Sequence, residues 1–198
     1  MFDFKKAAAD LMLANRRQID RFFYTVPAPA NYPYQWLWDS CFHAIIYSHF
    51  NLEYAKAELL SLVSRQFENG QIPHMIYWEK SEAINIDWGR EGTSTITQPP
   101  LLAYAVLAIF QKDGDKKFLE TIYPRLYHFY NYLLTERDPR HNHLVGIINP
   151  DESGEDNSPR FDFALNLPPK HSLAENTRRR YLLIEQNRAC KFDAPFCM

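Results

Sequence analysis

Lys116-Lys-Phe-Leu-Glu-Thr-Ile-Tyr-Pro-Arg-Leu-Tyr-His-Phe-Tyr-Asn-Tyr-Leu-Leu-Thr135 sets Phe118, Ile122, Leu126, Phe129 and Leu133 three and four residues apart. That spacing lays the five apolar side chains along one stripe of an α-helix. Upstream, Thr97-Gln-Pro-Pro100 opens another helix, because proline is tolerated in a first turn where its missing N–H would be unpaired anyway. The run from Leu101 to Phe110 is apolar nearly all round, which predicts a helix buried on every side. A further helix is expected from Leu52 to Phe67, with Leu52, Ala55, Leu59, Leu62 and Val63 inward and Asn69-Gly70 closing it. Another starts near Asp39-Ser40 and carries Phe42, Ala44, Ile45 and Ile46. The first segment puts Phe4, Ala8, Leu11, Ile19 and Phe22 on one helical face and breaks at Pro27, Pro29 and Pro33. Downstream, Ser172-x-x-Glu175 reads as a capping box for a last helix to Ala189. Residues 71–96 read as irregular. About six helices follow one another with no strand alternation, so the expected class is all-α.

The 198 residues are 46% hydrophobic, enough for one domain with a core. A formal net charge of −2 gives no basic face for nucleic acid. The seven histidines form no zinc spacing, so no metal and no cofactor are expected. Cys41, Cys190 and Cys197 make no C-x-x-C pair, and their odd number suits a reducing compartment. Charges interrupt the apolar part of the N-terminus, so no signal peptide is expected there, and no apolar run approaches the ~20 residues of a membrane span. A cytoplasmic location is expected. Aromatic content is 15%, which suits either a bulky helical core or a site where flat rings stack on sugars.

Four stretches carry residues suited to chemistry. In Tyr32-Pro-Tyr-Gln-Trp-Leu-Trp-Asp-Ser-Cys-Phe-His43, two tryptophans and an aspartate meet at a helix start. Ring stacking with a carboxylate is what sugar hydroxyls need, while the plainer reading is a capping aspartate beside two core rings. In Gln71-Ile-Pro-His-Met-Ile-Tyr-Trp78, His74 reads as a packed histidine, and either Tyr77 or Trp78 suits a pocket wall. In Thr95-Ile-Thr-Gln-Pro-Pro100, Gln98 offers both donor and acceptor. In Asn149-Pro-Asp-Glu-Ser-Gly-Glu-Asp-Asn-Ser-Pro-Arg160, four acids fall within six residues. An EF-hand loop needs glycine at its sixth position, where Asp156 stands counting from Asp151. Crowded acids near aromatic rings raise one carboxyl's pKa and suit it to general-acid work, but spacing does not choose among Asp151, Glu152, Glu155 and Asp156.

Taken together, Gln35-Trp-Leu-Trp-Asp-Ser-x-Phe-His-Ala44, Ile72-Pro-His-Met75, Thr97-Gln-Pro-Pro100 and Glu152-Ser-Gly-Glu-Asp-Asn-Ser-Pro-Arg160 resemble glycoside hydrolase family 63. The small mannosylglycerate and glucosylglycerate hydrolases are nearest, and family 37 trehalases are more distant. The resemblance implies an (α/α)6 barrel and inverting hydrolysis of an α-glycosidic bond in a small glycoside. It implies Asp156 as general acid, with Tyr32, Trp36, Trp38, Asp39, Gln98 and Gly154 as substrate-binding positions and Tyr77 as a looser match. Arg160, Arg178 and Arg179 are candidates for a clamp on an acidic aglycone.

The family's general base is a glutamate far towards the C-terminus, and Glu175 and Glu185 match nothing there. Six helices are half of the twelve such a barrel needs, and Phe192 to Met198 carries no polar tail. The expectation is therefore one partial catalytic domain over 1–198, lacking the base and prone to self-association through an exposed half-barrel face. A non-catalytic sugar-binding fragment is the alternative. A sugar epimerase on a similar barrel fits less well, because that chemistry rests on histidine pairs that the motifs here do not contain.

Overall fold

The computed structural model describes residues 3–79, 92–155 and 158–161, a mainly helical chain with two short antiparallel pairs. Its helices are α1 (Phe4–Asn15), α2 (Leu37–Tyr47), α3 (Leu52–Val63), α4 (Leu102–Asp113) and α5 (Lys116–Thr135). Strands β1 (Arg16–Ile19) and β2 (Phe22–Thr25) form a hairpin, and β3 (Gln35–Trp36) pairs with β4 (Met75–Ile76). The proposed helix after Ser172 lies outside the described residues.

α5 forms as its stripe predicts. Phe118, Ile122, Leu126, Phe129 and Leu133 are all buried. Asp115 caps the helix by accepting from the Lys117 and Phe118 N–H groups at 3.0 and 3.1 Å. The same side chain accepts from Lys56 Nζ at 2.7 Å, which ties the start of α5 to α3. Lys56 also meets Asp113 at 2.6 Å, so a buried ammonium neutralises two acids in the turn between α4 and α5. Pro124 sits inside α5 without ending it.

α3 starts at Asn51, whose side chain accepts from the Tyr54 N–H at 3.0 Å. It ends at Val63, four residues before the expected Phe67. Gly70 therefore does not cap this helix. Its φ of +95° lets the backbone press onto α5, where a Cβ would stand 2.3 Å from the His128 carbonyl oxygen. α2 packs against α3 and α4 through Leu37, Cys41, Ala44 and Tyr47, all fully buried.

Two further expectations are corrected. Ile19 and Phe22 do not continue the first helix, because α1 stops at Asn15 and both residues belong to the β1–β2 hairpin. There they face one another across a turn in which Asp20 adopts φ +51°. Of α1 only Met12 is buried, while Phe4 and Leu11 are exposed. α4 is not covered on every side either. Ala105, Val106 and Ile109 are buried, but Tyr104 and Leu107 are half exposed or more.

Candidate functional site

The segment Gln35–Asp39 turns from strand to helix, and its anchor is buried. Gln35 is fully buried and donates from Nε2 to Ser40 Oγ at 3.1 Å and to the Glu58 carbonyl at 3.2 Å. Its Oε1 accepts from the Trp78 indole N–H at 2.8 Å. Glu58, also fully buried, accepts from Ser40 Oγ, Thr25 Oγ1 and the Thr25 N–H. Every polar atom named here is paired, as a buried network requires. Trp36 and Trp38 thus project from a start of α2 that is fixed from below.

Beside this anchor lies an open cleft of about 230 Å³ lined by Pro27, Tyr32, Trp36, Trp38, Asp39 and Gln98. Tyr32 meets the Trp36 ring edge-on, with centroids 5.8 Å apart at 72°. Behind Trp36 stands His74, edge-on at 5.2 Å. His74 is buried, its Nδ1 lies 2.5 Å from Ser94 Oγ, and its carbonyl accepts from the Leu37 N–H, so it braces β3 and α2. The Trp36 indole N–H is buried without an acceptor among the described residues. Gln98 accepts from the Trp38 N–H through Oε1 at 3.3 Å, which commits its acceptor end and leaves its N–H donors for a ligand.

The acidic loop reaches the same place. Asn149 accepts from the Asp151 N–H at 2.9 Å and starts a short 3-10 turn, Pro150–Ser153. Gly154 ends that turn at φ +72°, a left-handed conformation suited to glycine. It lies against the Trp38 indole, where a Cβ would come within 2.7 Å of the Trp38 Cη2 atom.

Of the residues singled out from sequence, Tyr32, Trp36, Trp38, Asp39 and Gln98 line one cleft, and Gly154 touches its wall through Trp38. Tyr77 is buried, sits edge-on to Tyr34 at 5.1 Å, and is not among the lining residues. Asp156 lies outside the described residues, as do Arg178, Arg179, Glu175 and Glu185. Pro27 was not anticipated, nor was Arg137, which holds the acidic loop from beneath. Arg137 is buried and binds Glu152 through Nη1 at 3.1 Å and through Nη2. Burial works against its charge, but the Glu152 carboxylate outweighs this and leaves its pKa above the ordinary value. No single-sequence signal marks a pair split between the end of α5 and a loop.

Residues 32–194 match the mannosylglycerate hydrolase MGH1-like glycoside hydrolase domain. The chain belongs to that family. It is 39% identical over 169 residues to a mannosylglycerate hydrolase of Thermus thermophilus, covering 79% of this chain and 41% of the relative. It is 30% identical over 210 residues to a glucosylglycerate hydrolase of Mycolicibacterium hassiacum, covering 85% and 47%. The crystal structure of a family 63 mannosylglycerate hydrolase from Thermus thermophilus, in complex with Tris and D-glycerate, superposes with a TM-score of 0.79 at 34% identity. That match covers 98% of this chain and 52% of the other. The chain thus spans about half the length of these MGH1-like relatives. Among the described residues, no helix is long and apolar enough to cross a membrane.

Proposed function

We propose that residues 1–198 form one partial catalytic domain of an inverting α-glycosidase with an (α/α)6 barrel. They would contribute its sugar-stacking wall and its general acid. The observation that carries the reading is convergence: Tyr32, Trp36, Trp38 and Asp39 line one cleft with Gln98, and Gly154, from a third stretch, backs its Trp38 wall. Trp36 and Trp38 offer aromatic faces to a sugar ring. The Asp39 carboxylate accepts from sugar hydroxyls, while the Gln98 amide N–H groups donate to them. The exposed apolar residues Phe42 and Ile46 on α2, with Tyr104 and Leu107 on α4, support a barrel whose other helices would cover them. The same surface would drive self-association of this chain on its own.

In the proposed reaction, Asp156 gives its proton to the glycosidic oxygen as the bond to the anomeric carbon breaks. Water attacks that carbon from the opposite face and yields its proton to a second carboxylate. The base falls outside residues 1–198 in this reading. Inversion needs the two carboxyls roughly 6.5–9.5 Å apart, with room for the water. Mannosylglycerate and glucosylglycerate are the substrates to test, because the relatives' names specify them.

The test is hydrolysis of mannosylglycerate, glucosylglycerate and trehalose by this chain and by the longest polypeptide its reading frame encodes. NMR of the first anomer released reads the stereochemistry. The longer form should turn over with inversion, and Asp156→Asn should abolish it. The 198 residues alone should run slower by about 10²–10⁴ or more, the typical worth of acid–base assistance. Sugar binding without turnover by either form would replace this reading with a non-catalytic sugar-binding module.

A further inference from the structure

Beneath the cleft, the Arg137–Glu152 pair is used by more groups than an ion pair needs. Each Glu152 oxygen takes a second partner. Oε1 accepts from the Thr97 N–H at 3.0 Å, and Oε2 accepts from the Ile148 N–H at 2.8 Å. Arg137 spends a third donor as well, giving Nε–H to Tyr132 Oη at 2.6 Å. Tyr132 donates onward to Gln71 Oε1 at 2.9 Å, and Gln71 Nε2 donates to the Thr95 carbonyl at 2.8 Å. One buried network therefore joins the end of α5, the acidic loop and both ends of Thr95–Thr97.

Two of those attachments lead to the same residue, one to its backbone and one to its ring. Thr97 precedes Gln98, whose Oε1 accepts from the Trp38 backbone N–H. Glu152 lies two residues before Gly154, which rests on the Trp38 ring. A buried ion pair contributes little net stability over a well-packed apolar pair, because desolvating two charges offsets their attraction. Its fixed fork geometry, however, dictates where each bonded group must stand. We propose that Arg137 and Glu152 are a positioning pair that sets the Trp38 indole and the Gln98 carboxamide, and with them the width of the cleft. Glu152 is then neither the acid nor a substrate contact. Both of its oxygens face a guanidinium and a backbone N–H, and it does not line the cleft. The kinetic consequence rests on the glycosidase reading, but the positional one does not.

The experiment is ¹⁹F NMR of the chain labelled with 5-fluorotryptophan, with the Trp38 resonance assigned by Trp38→Phe. Trp78 is the internal control, since its ring stacks on Phe22 and Tyr24 and hangs on Gln35. Glu152→Gln keeps the shape but presents an amide N–H₂ to donors. It should move the Trp38 resonance and leave that of Trp78 in place. Arg137→Lys keeps the charge without the fork and should give the same pattern, smaller, if Glu152→Gln fails to fold. An unmoved Trp38 resonance, or Trp38 and Trp78 moving together, overturns the proposal.

The kinetic arm uses the longest polypeptide in the reading frame with mannosylglycerate. Glu152→Gln should lower kcat/KM about 10²-fold, as a displacement near 1 Å does, with the pH profile unmoved. A profile that loses its alkaline limb would make Glu152 the acid and overturn the proposal. If the unmutated polypeptide turns nothing over, the glycosidase reading falls, and the NMR arm alone decides the positioning role.

Discussion

Replacing Gly154 by alanine tests the contact that brings the acidic loop to the cleft. Two costs add. A residue with a Cβ held in the left-handed region loses about 1–2 kcal/mol relative to glycine. The new Cβ would also stand 2.7, 2.9 and 3.1 Å from three atoms of the Trp38 ring, where ordinary contact begins near 3.4 Å. The indole or the loop must retreat by about 0.7 Å. Trp38 is held at its backbone N–H by Gln98, and crowding of this kind costs about 1–3 kcal/mol. The sum is roughly 2–5 kcal/mol, or a fall of roughly 4–20 °C in melting temperature for a chain of this size. Gly114→Ala is the control. Gly114 has φ +63°, but a Cβ there meets nothing within 4 Å, so only the backbone cost of about 1–2 kcal/mol remains. Melting followed by near-ultraviolet circular dichroism gives both values. In a Trp38→Phe background the excess cost of Gly154→Ala should disappear, since the ring it strikes is gone. If Gly154→Ala melts no lower than Gly114→Ala, Gly154 does not seat against Trp38 and the link between loop and cleft is refuted.

The turn between α4 and α5 should give acid sensitivity. Hydrogen bonds from Lys56 hold the Asp113 and Asp115 carboxyls below their usual 3.8. The stability they lend is present above about pH 4 and is lost as pH falls through the lowered values. Burial works against the Lys56 charge, but its bonds to Asp113, Asp115 and Glu53 win and raise it above 10.5, so its own contribution persists below that pH. Lys56→Met should therefore flatten the decline of melting temperature between about pH 4 and 2, and parallel acid limbs would refute the assignment. Cys41 should be inert. It is fully buried, and burial together with the Glu58 and Asp39 charges pushes its thiol pKa up. Iodoacetamide at pH 8 should leave it unmodified until guanidinium is added, as mass spectrometry would show, and alkylation at the native rate of an exposed thiol would contradict the packing of α2.

What the sequence revealed depended on whether the deciding forces were local. α5 was legible because an uninterrupted period of three and four selects one conformation, and Asp115 starts it at the expected place. The hairpin after α1 was not legible. Ile19 and Phe22 are three apart, which suits a helical face as well as a cross-strand pair, and the turn lacks the glycine that usually marks such hairpins. The run Leu101 to Phe110 misled for a related reason, because a segment apolar all round carries no period to say which side is covered. The cleft was legible where each part is a contiguous motif, as with Trp36, Trp38 and Asp39. It was silent on Arg137, since charged residues are rarely buried and nothing links position 137 to position 152 before the chain folds.

That silence bears on the four acids of the loop, among which spacing could not choose. Glu152 is held at both oxygens by the Arg137 guanidinium, so its side chain is committed to bracing the loop and does not reach into the cleft. Glu155 is half exposed and meets Arg160 at 3.0 Å. On geometry only Glu152 is set aside, and the proposal of Asp156 as the acid rests on the family motif.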